Sequence, residues 1–324
     1  MSRRHVRIGT DIEHAAALLR DGRLVAMPTE TVYGLAADAR NPQAIASVFA
    51  AKNRPTFDPL IVHLAGKSSV LEYAREFPPL AVRLADRFWP GPLTLVLPRK
   101  PVIPDLVTSG LDGVGVRVPA HPMALELLQR CGFPLAAPSA NPFGGISPTT
   151  AEHVAAGLGH VVDYILDGGP CAVGVESTVV SFMQPRPIVL RPGGLSMEAI
   201  AEVAGAVDRA VSDPTKDDSA QPSPGMLSRH YAPRTPLRLI EPEEAAAARS
   251  GENAGLLTWG NLPGAGFSHV MNLSETSDLK TCAAGFFAAL RELDSRVLDY
   301  IVARKFPETG LGVALNDRLR RAAT

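Results

Sequence analysis

Leu24-Val25-Ala26-Met27-Pro28-Thr29-Glu30-Thr31-Val32-Tyr33-Gly34 passes from a short apolar run into a turn dense in hydroxyls. The run Leu24–Met27 has strand character, and Pro28 ends it. Hydroxyls gathered past a strand end suit a small polar ligand, because binding crevices in open α/β sheets lie beyond strand ends. As an isolated segment it reads better as an ordinary Thr/Gly-rich turn, so its weight depends on what surrounds it.

Upstream, Thr10-x-x-Glu13 has the form of a capping box, and Ile12, Ala15, Ala16 and Leu19 carry the 3.6-residue period of an amphipathic helix. Downstream, Asn41-Pro42 reads as N-cap and first helical residue. Ile45, Val48 and Phe49 place that helix's apolar stripe, and Pro55 stops it near Lys52. Strand-like runs follow at 60–64, 93–97, 114–118, 135–137, 164–166, 178–182 and 188–190, with helices expected near 69–76, 79–88, 122–130 and 149–157. Many strands, fewer helices and repeated Gly/Pro breaks predict an α/β domain on a twisted mixed sheet. Residues 208–235 change character, since Ser212 to Ser219 is polar and contains proline, the composition of a linker or mobile loop. Beyond them strands are expected at 237–240, 256–259, 270–273 and 300–303, and helices at 243–249, 278–295 and 311–322. That pattern predicts a small three-layer α/β domain of Rossmann-like type. The expected organisation is a first domain at 1–207, a linker or lid at 208–235 and a second domain at 236–324.

Composition narrows the function. A chain of 324 residues is comfortable for two domains, and 46% hydrophobic with 20% charged residues is a globular balance. Up to residue 205 there are 18 basic and 18 acidic residues, and after it 14 and 15. Neither half has the basic excess that phosphate-backbone binding demands, which argues against strong direct nucleic-acid binding. Cys131, Cys171 and Cys282 are odd in number and far apart, so neither a disulfide framework nor a Cys-x-x-Cys metal site is expected. Met1 to Gly9 has arginines without an apolar run behind them, and no window approaches eighteen apolar residues. The expectation is a cytoplasmic protein with no membrane segment.

Candidate chemistry lies at strand ends. Neither a Gly-x4-Gly-Lys-Ser/Thr segment nor a Gly-x-Gly-x-x-Gly fingerprint occurs, so a nucleotide would bind some other way. Lys52 and Arg54 can stabilise a helix C-terminus, the ordinary reading, yet a point charge beside a planar fork also suits a polyphosphate. Asp58 and His63 follow, and a lone histidine is more often structural. Ser139-Ala140-Asn141, Gly144-Gly145 and Ser147-Pro148-Thr149 allow backbone amides to approach an anion, and equally cap the next helix. Glu176-Ser177-Thr178 and Leu190-Arg191-Pro192-Gly193-Gly194 add a hydroxyl and a guanidinium at further strand ends.

Each motif is weak alone, but their order is specific. Pro28–Gly34, Lys52-x-Arg54-Pro55, Pro59–His63, Gly115–Pro119, Ser139–Asn141, Ser147–Thr149, Glu176–Val180 and Leu190–Gly194 together closely resemble the threonylcarbamoyl-AMP synthase family, with its YrdC-like catalytic domain. Ser223-Pro224-Gly225-Met226 and His230-Tyr231-Ala232-Pro233 look like the linker of its longer, two-domain members. Gly310-Leu311-Gly312 and Asn316 to Ala322 look like the end of their C-terminal domain. The resemblance implies condensation of L-threonine, bicarbonate and ATP to threonylcarbamoyl-AMP and pyrophosphate, a nucleotidyltransferase reaction in tRNA modification. It places Lys52 and Arg54 at the reaction centre with Ser139 and Asn141. It implies a threonine pocket of Thr31, His63, Arg117, Ser139 and Ser177. ATP would meet Arg54, Asp58, Asn141, Ser147, Arg191 and Tyr231, accompanied by Mg²⁺. A downstream tRNA threonylcarbamoyl transferase is the implied receiver of the product.

Two positions depart from the family's usual pattern. Asp58 stands where an asparagine is usual, a carboxylate that could meet Mg²⁺ or weaken an amide contact. Phe143 replaces a small hydroxyl in the loop after Asn141. Two alternatives from other classes are an RNA-binding module involved in translation and a carbamoyltransferase of hydrogenase maturation. The even charge balance opposes the first. The second carries acylphosphatase-like and zinc-finger segments, for which this chain has neither the length nor a Cys-x-x-Cys.

Overall fold

The computed structural model describes residues 6–210, 219–261 and 264–323. Most of the polar stretch Ser212–Ser219 lies outside the described residues. Eleven strands form one large mixed sheet: β1 Arg7–Gly9, β2 Val25–Met27, β3 Gly34–Asp38, β4 Ile61–His63, β5 Leu93–Pro98, β6 Gly113–Arg117, β7 Leu135–Ala136, β8 Tyr164–Leu166, β9 Thr178–Ser181, β10 Ile188–Arg191 and β11 Asp208–Arg209. Their spatial order is β1-β8-β2-β3-β7-β4-β6-β5-β9-β10-β11. Helices α1 Ile12–Arg20, α2 Pro42–Lys52, α3 Val70–Tyr73, α4 Pro79–Phe88, α5 Pro122–Cys131, α6 Ala151–Leu158 and α7 Met197–Ala204 flank it. The twisted mixed sheet with flanking helices expected from sequence is thus the observed fold. Its last strand, β11, falls within the stretch read from sequence as linker.

The strand order brings the motifs together. Antiparallel β3 lies between β2 and β7, β4 pairs in parallel with β6, and β5 pairs in parallel with β9. The turns after β2 and β7 fall at one end of these strands, and the ends of β4 and β6 lie with the start of β9 at the other. Tyr33 N donates to Pro148 O at 2.9 Å and Ala140 N to Tyr33 O at 2.8 Å, so the hydroxyl-rich turn is laced to the loop carrying Ser139. Strand β3 lies where Gly34-Leu35-Ala36-Ala37-Asp38 shows no period-two alternation, because its first four residues are all buried.

Two local expectations need correction. Helix α1 is capped by Asp11, whose carboxylate accepts from His14 N at 2.9 Å, not by Thr10. Glu13 instead pairs with Arg20 and Arg130 across the surface. The helix expected at 243–249 does not form. The carbonyls of Pro242 and Glu244 accept from the buried Arg304 guanidinium, and Ala246 pairs with Gly264. A long-range arginine here outweighs the helix propensity of an alanine run.

The second domain has a parallel sheet ordered β12-β17-β14-β16, comprising β12 Leu237–Ile240, β14 Ala254–Thr258, β16 His269–Asn272 and β17 Tyr300–Arg304. Helices α8 Leu279–Ser295 and α9 Gly312–Ala322 pack on one face, through Phe286, Leu290 and Leu315 against Leu257, Ile301 and Ala303. On the other face Leu256, Tyr300 and Val302 meet Ala246, Ala248 and Phe267 beside a two-stranded ladder, β13 Ala246–Ala247 with β15 Gly264–Ala265. That ladder is the third layer, in place of a helix.

The two domains are not independent bodies. Val32, Ile146 and Val175 of the first share one buried cluster with Tyr231, Phe286 and Phe287. A side chain on Gly174 would lie 2.2 Å from Ala283 O of α8, so only glycine permits that approach.

Candidate active site

One pocket gathers Thr29, Thr31, His63, Arg117, Ser139 and Ser177 from the sheet with Arg54, Glu176 and Arg191, and is closed by Pro224, Gly225, His230 and Tyr231. Its free room is about 50 Å³, enough for a few waters at roughly 10–15 Å³ each. Eight of the residues named from sequence line it: Thr31, Arg54, His63, Arg117, Ser139, Ser177, Arg191 and Tyr231. Lys52, Asp58, Asn141 and Ser147 do not; they stand behind the wall.

The sheet side is held by local geometry. Thr29 Oγ1 sits 2.8 Å from Thr31 Oγ1 and donates to Val32 O, fixing the turn. Ser177 Oγ lies 2.7 Å from Thr94 Oγ1 of β5. Arg117 Nε donates to Gly91 O at 3.2 Å, and its Nη2 stands 2.6 Å from a Glu30 carboxylate oxygen, outside hydrogen-bond alignment. Glu30 was not singled out from sequence, because a carboxylate in a Thr-rich turn gives no local sign of a partner 87 positions away. Burial and the Arg117 charge push His63 down to about 3, so the imidazole is neutral at neutral pH. Neutral His63 offers one acceptor nitrogen and one N–H, and with so low a pKa it is a weak general base.

The cations of the other side are already engaged. Lys52 Nζ donates to the carbonyls of Ser139 and Asn141, and burial followed by the neighbouring Arg54 holds it well below the usual lysine range. Arg54 donates to Asp58 O at 2.9 Å and Pro59 O at 2.8 Å, and pairs with the Asp58 carboxylate at 3.0 Å. Asp58 thus faces Arg54, and burial raises its carboxyl against that cation's pull. Asn141 donates to Pro142 O and Gly145 O and borders a separate cleft between α6 and α8. Ser147 donates to Glu176 Oε1 at 2.5 Å. Arg191 donates to Ser177 O at 2.9 Å and to Pro224 O of the linker at 3.0 Å.

The linker segment 219–235 enters the site itself. Tyr231 is 1% exposed, and its backbone is left-handed at φ 63°. His230 lies edge-on to Phe143 at 5.9 Å and to Tyr231 at 4.1 Å, while the Arg54 guanidinium lies 5.9 Å from the Phe143 ring centre. The His230 Nδ1, Tyr231 hydroxyl, His63 Nδ1 and Asn141 Oδ1 atoms are buried without a hydrogen-bond partner. Native folds rarely leave such groups unpaired, and the three on His230, Tyr231 and His63 belong to residues that line the pocket, which suits a place built to receive a polar ligand.

Among the described residues no group of three or more His, Cys, Asp or Glu side chains could hold a metal. The carboxylates at the site, Glu30, Asp58 and Glu176, already pair with Arg117, Arg54 and Arg318. A divalent cation fits this site only as the companion of a bound polyphosphate.

Comparison with known proteins agrees with this arrangement. Residues 17–193 match the Sua5–YciO–YrdC family, described as telomere recombination, and residues 195–324 match the threonylcarbamoyl-AMP synthase C-terminal domain. A threonylcarbamoyl-AMP synthase of Bacillus subtilis is 45% identical over 96% of this chain and 92% of its own length. One from Pyrococcus abyssi is 42% identical over 96% and 94% respectively. The crystal structure of P. abyssi Sua5 complexed with L-threonine superposes with a TM-score of 0.89 at 38% identity, covering 98% of this chain and 97% of that one.

Proposed function

The chain belongs to the threonylcarbamoyl-AMP synthase family, and from that premise we propose that it condenses L-threonine, bicarbonate and ATP to threonylcarbamoyl-AMP and pyrophosphate. The product supplies the threonylcarbamoyl modification of the adenosine next to the tRNA anticodon, through a separate tRNA threonylcarbamoyl transferase. The observation that supports this reading best is a single pocket combining Thr31, His63, Arg117, Ser139 and Ser177 with the guanidiniums of Arg54 and Arg191.

In this reading Arg117 receives the threonine carboxylate, with Glu30 aligning its guanidinium. Thr31, Ser139, Ser177 and neutral His63 hold the remaining polar groups. The threonine amine attacks the bicarbonate carbon, giving a carbamate with loss of water. A carbamate oxygen then attacks the α-phosphorus of ATP, and the bond to the pyrophosphate oxygen breaks. Arg54 and Arg191 meet the charge that develops on the phosphate oxygens. Lys52 fixes the Ser139–Asn141 loop from behind and adds its field to the same region. Asn141 and Ser147 act as supports of this wall. Mg²⁺ bound to the triphosphate would neutralise part of its charge, and none of these steps is assigned to it.

Pro224, Gly225, His230 and Tyr231 cover the pocket, so in this reading the linker withdraws before ATP enters. Pro224 O occupies Arg191 in the closed state, where a ligand oxygen would replace it. Closure of 219–235 over the reactants would then exclude water from a hydrolysable adenylate. The test is incubation with ATP, bicarbonate and threonine. Pyrophosphate release and a threonine-dependent adenylate are expected, and pyrophosphate release that ignores threonine would overturn the reading.

A further inference from the structure

One turn of α9 reaches out of the C-terminal domain into the wall of the pocket. Arg318 is fully buried there. Its Nε donates to Glu176 Oε2 at 2.8 Å, its Nη1 to Asp317 Oδ2 at 2.7 Å and its Nη2 to Pro192 O at 3.1 Å. The guanidinium lies 4.9 Å from the centre of the Tyr231 ring. Glu176 and Tyr231 both line the pocket, whereas Arg318 does not. The second Glu176 oxygen is held by the Ser147 hydroxyl. One turn further on, Arg321 donates to Met226 O and Leu227 O, while its own carbonyl accepts from His230 N at 3.1 Å.

The electrostatics give this arrangement a purpose. Burial alone would raise the Glu176 carboxyl, but Arg318, then Arg191 and the Ser147 hydroxyl, more than offset it and leave it below the usual range. Glu176 is therefore an anion in the wall of a site read as taking a polyanion. Burial likewise opposes the Arg318 charge, yet Tyr231, Glu176 and Asp317 raise its pKa above the ordinary value. If stability alone were at stake, a well-packed apolar group would serve as well as this buried pair.

We propose that Arg318 is a positioning residue of the nucleotide subsite. It compensates the Glu176 charge and supports the Tyr231 ring, so that the C-terminal domain completes a site whose reacting groups all lie in the first domain. The inference rests on the reading that ATP occupies this pocket.

The experiment measures ATP and threonine affinity calorimetrically on the full chain. Arg318→Gln removes the largest compensation of the Glu176 charge, leaving only Arg191 and the Ser147 hydroxyl, and ATP affinity is expected to fall on the order of tenfold, because an undercompensated charge in a low-dielectric wall acts strongly on a polyanion. Threonine affinity should stay within about threefold, since its subsite is built from the sheet. Adding Glu176→Gln removes the undercompensated charge and should restore most of the ATP affinity. A double variant that remains as weak as Arg318→Gln would overturn the proposal, as would parallel loss of threonine affinity. If Arg318→Gln does not fold, Arg318→Lys serves instead. It retains the charge but not the fork, so ATP affinity should remain close to wild type while the linker is cleaved faster; a large ATP loss there refutes charge compensation. Wild-type protein that binds threonine but not ATP would count against the functional reading itself, a result distinct from all of these.

Discussion

On the sheet side of the pocket, Thr31, His63, Ser139 and Ser177 are placed by strand ends and short turns within one domain. On the linker side, Arg191 is held by a linker carbonyl, Arg54 by Asp58 and two carbonyls, and Tyr231 by packing that includes α8 and α9. The first surface is preformed, while the second is filled by the protein's own groups until a ligand displaces them. The contrast separates two costs of binding. A small substrate on the sheet side meets fixed partners, whereas a nucleotide must first exchange internal hydrogen bonds for its own.

The largest expected effect probes the engaged side. Arg54→Ala alone would strand the buried Asp58 charge, which costs roughly 3–5 kcal/mol of stability, so the informative variant is Arg54→Gln with Asp58→Asn. Adenylate formation should fall by on the order of 10³-fold or more, as for other arginines at a transferring phosphoryl group, with an unchanged melting profile. Near-normal turnover would reduce Arg54 to a cation at a helix end.

A smaller loss is expected on the preformed side. Arg117→Lys should weaken threonine binding by about 10–100-fold, the value of charge-assisted hydrogen bonds, and leave ATP affinity nearly unchanged. If ATP suffers and threonine does not, Arg117 belongs to the other half and the comparison fails.

Acid titration asks how dry the sheet side is. His63 at about 3 and His153 at about 4 lie below the ordinary histidine value of 6.5, chiefly through burial. Below pH 6.5 the unfolded chain takes up protons that the folded chain refuses. Stability present above that pH is therefore lost on acidification toward pH 4 and 3. His63→Gln should make the fall shallower by about 1.4 kcal/mol per pH unit for one proton, measured by denaturant unfolding at stepped pH. An unchanged slope would mean that His63 is solvated and the wall open.

The smallest effect concerns the latch. Phe143 meets His230 edge-on, an aromatic contact worth about 0.5–1.5 kcal/mol. Phe143→Ser should speed proteolysis within 219–235 by roughly 2–10-fold and leave threonine affinity alone. No change in cleavage would remove Phe143 from the closure.

The sheet side was the more legible half in the sequence. Asn41-Pro42 caps its helix as read, and most strand runs lie where short apolar stretches end in Gly or Pro. Those signals are local. The partners that complete the site are not, since Glu30 finds Arg117 and Glu176 finds Arg318 across 142 positions. No periodicity reports such a pair. The same limit explains residues 243–249, where distant Arg304 decides the backbone.

Gly174, pressed against the α8 backbone, has a consequence for how the gene can change. Deleting the second domain would uncover Val32, Ile146 and Val175 and strand the Glu176 charge at once. Enlarging Gly174 while the domain remains would force the two bodies apart. Either change damages the joint itself, so a glycine that leaves no room for a side chain ties the fate of one domain to that of the other.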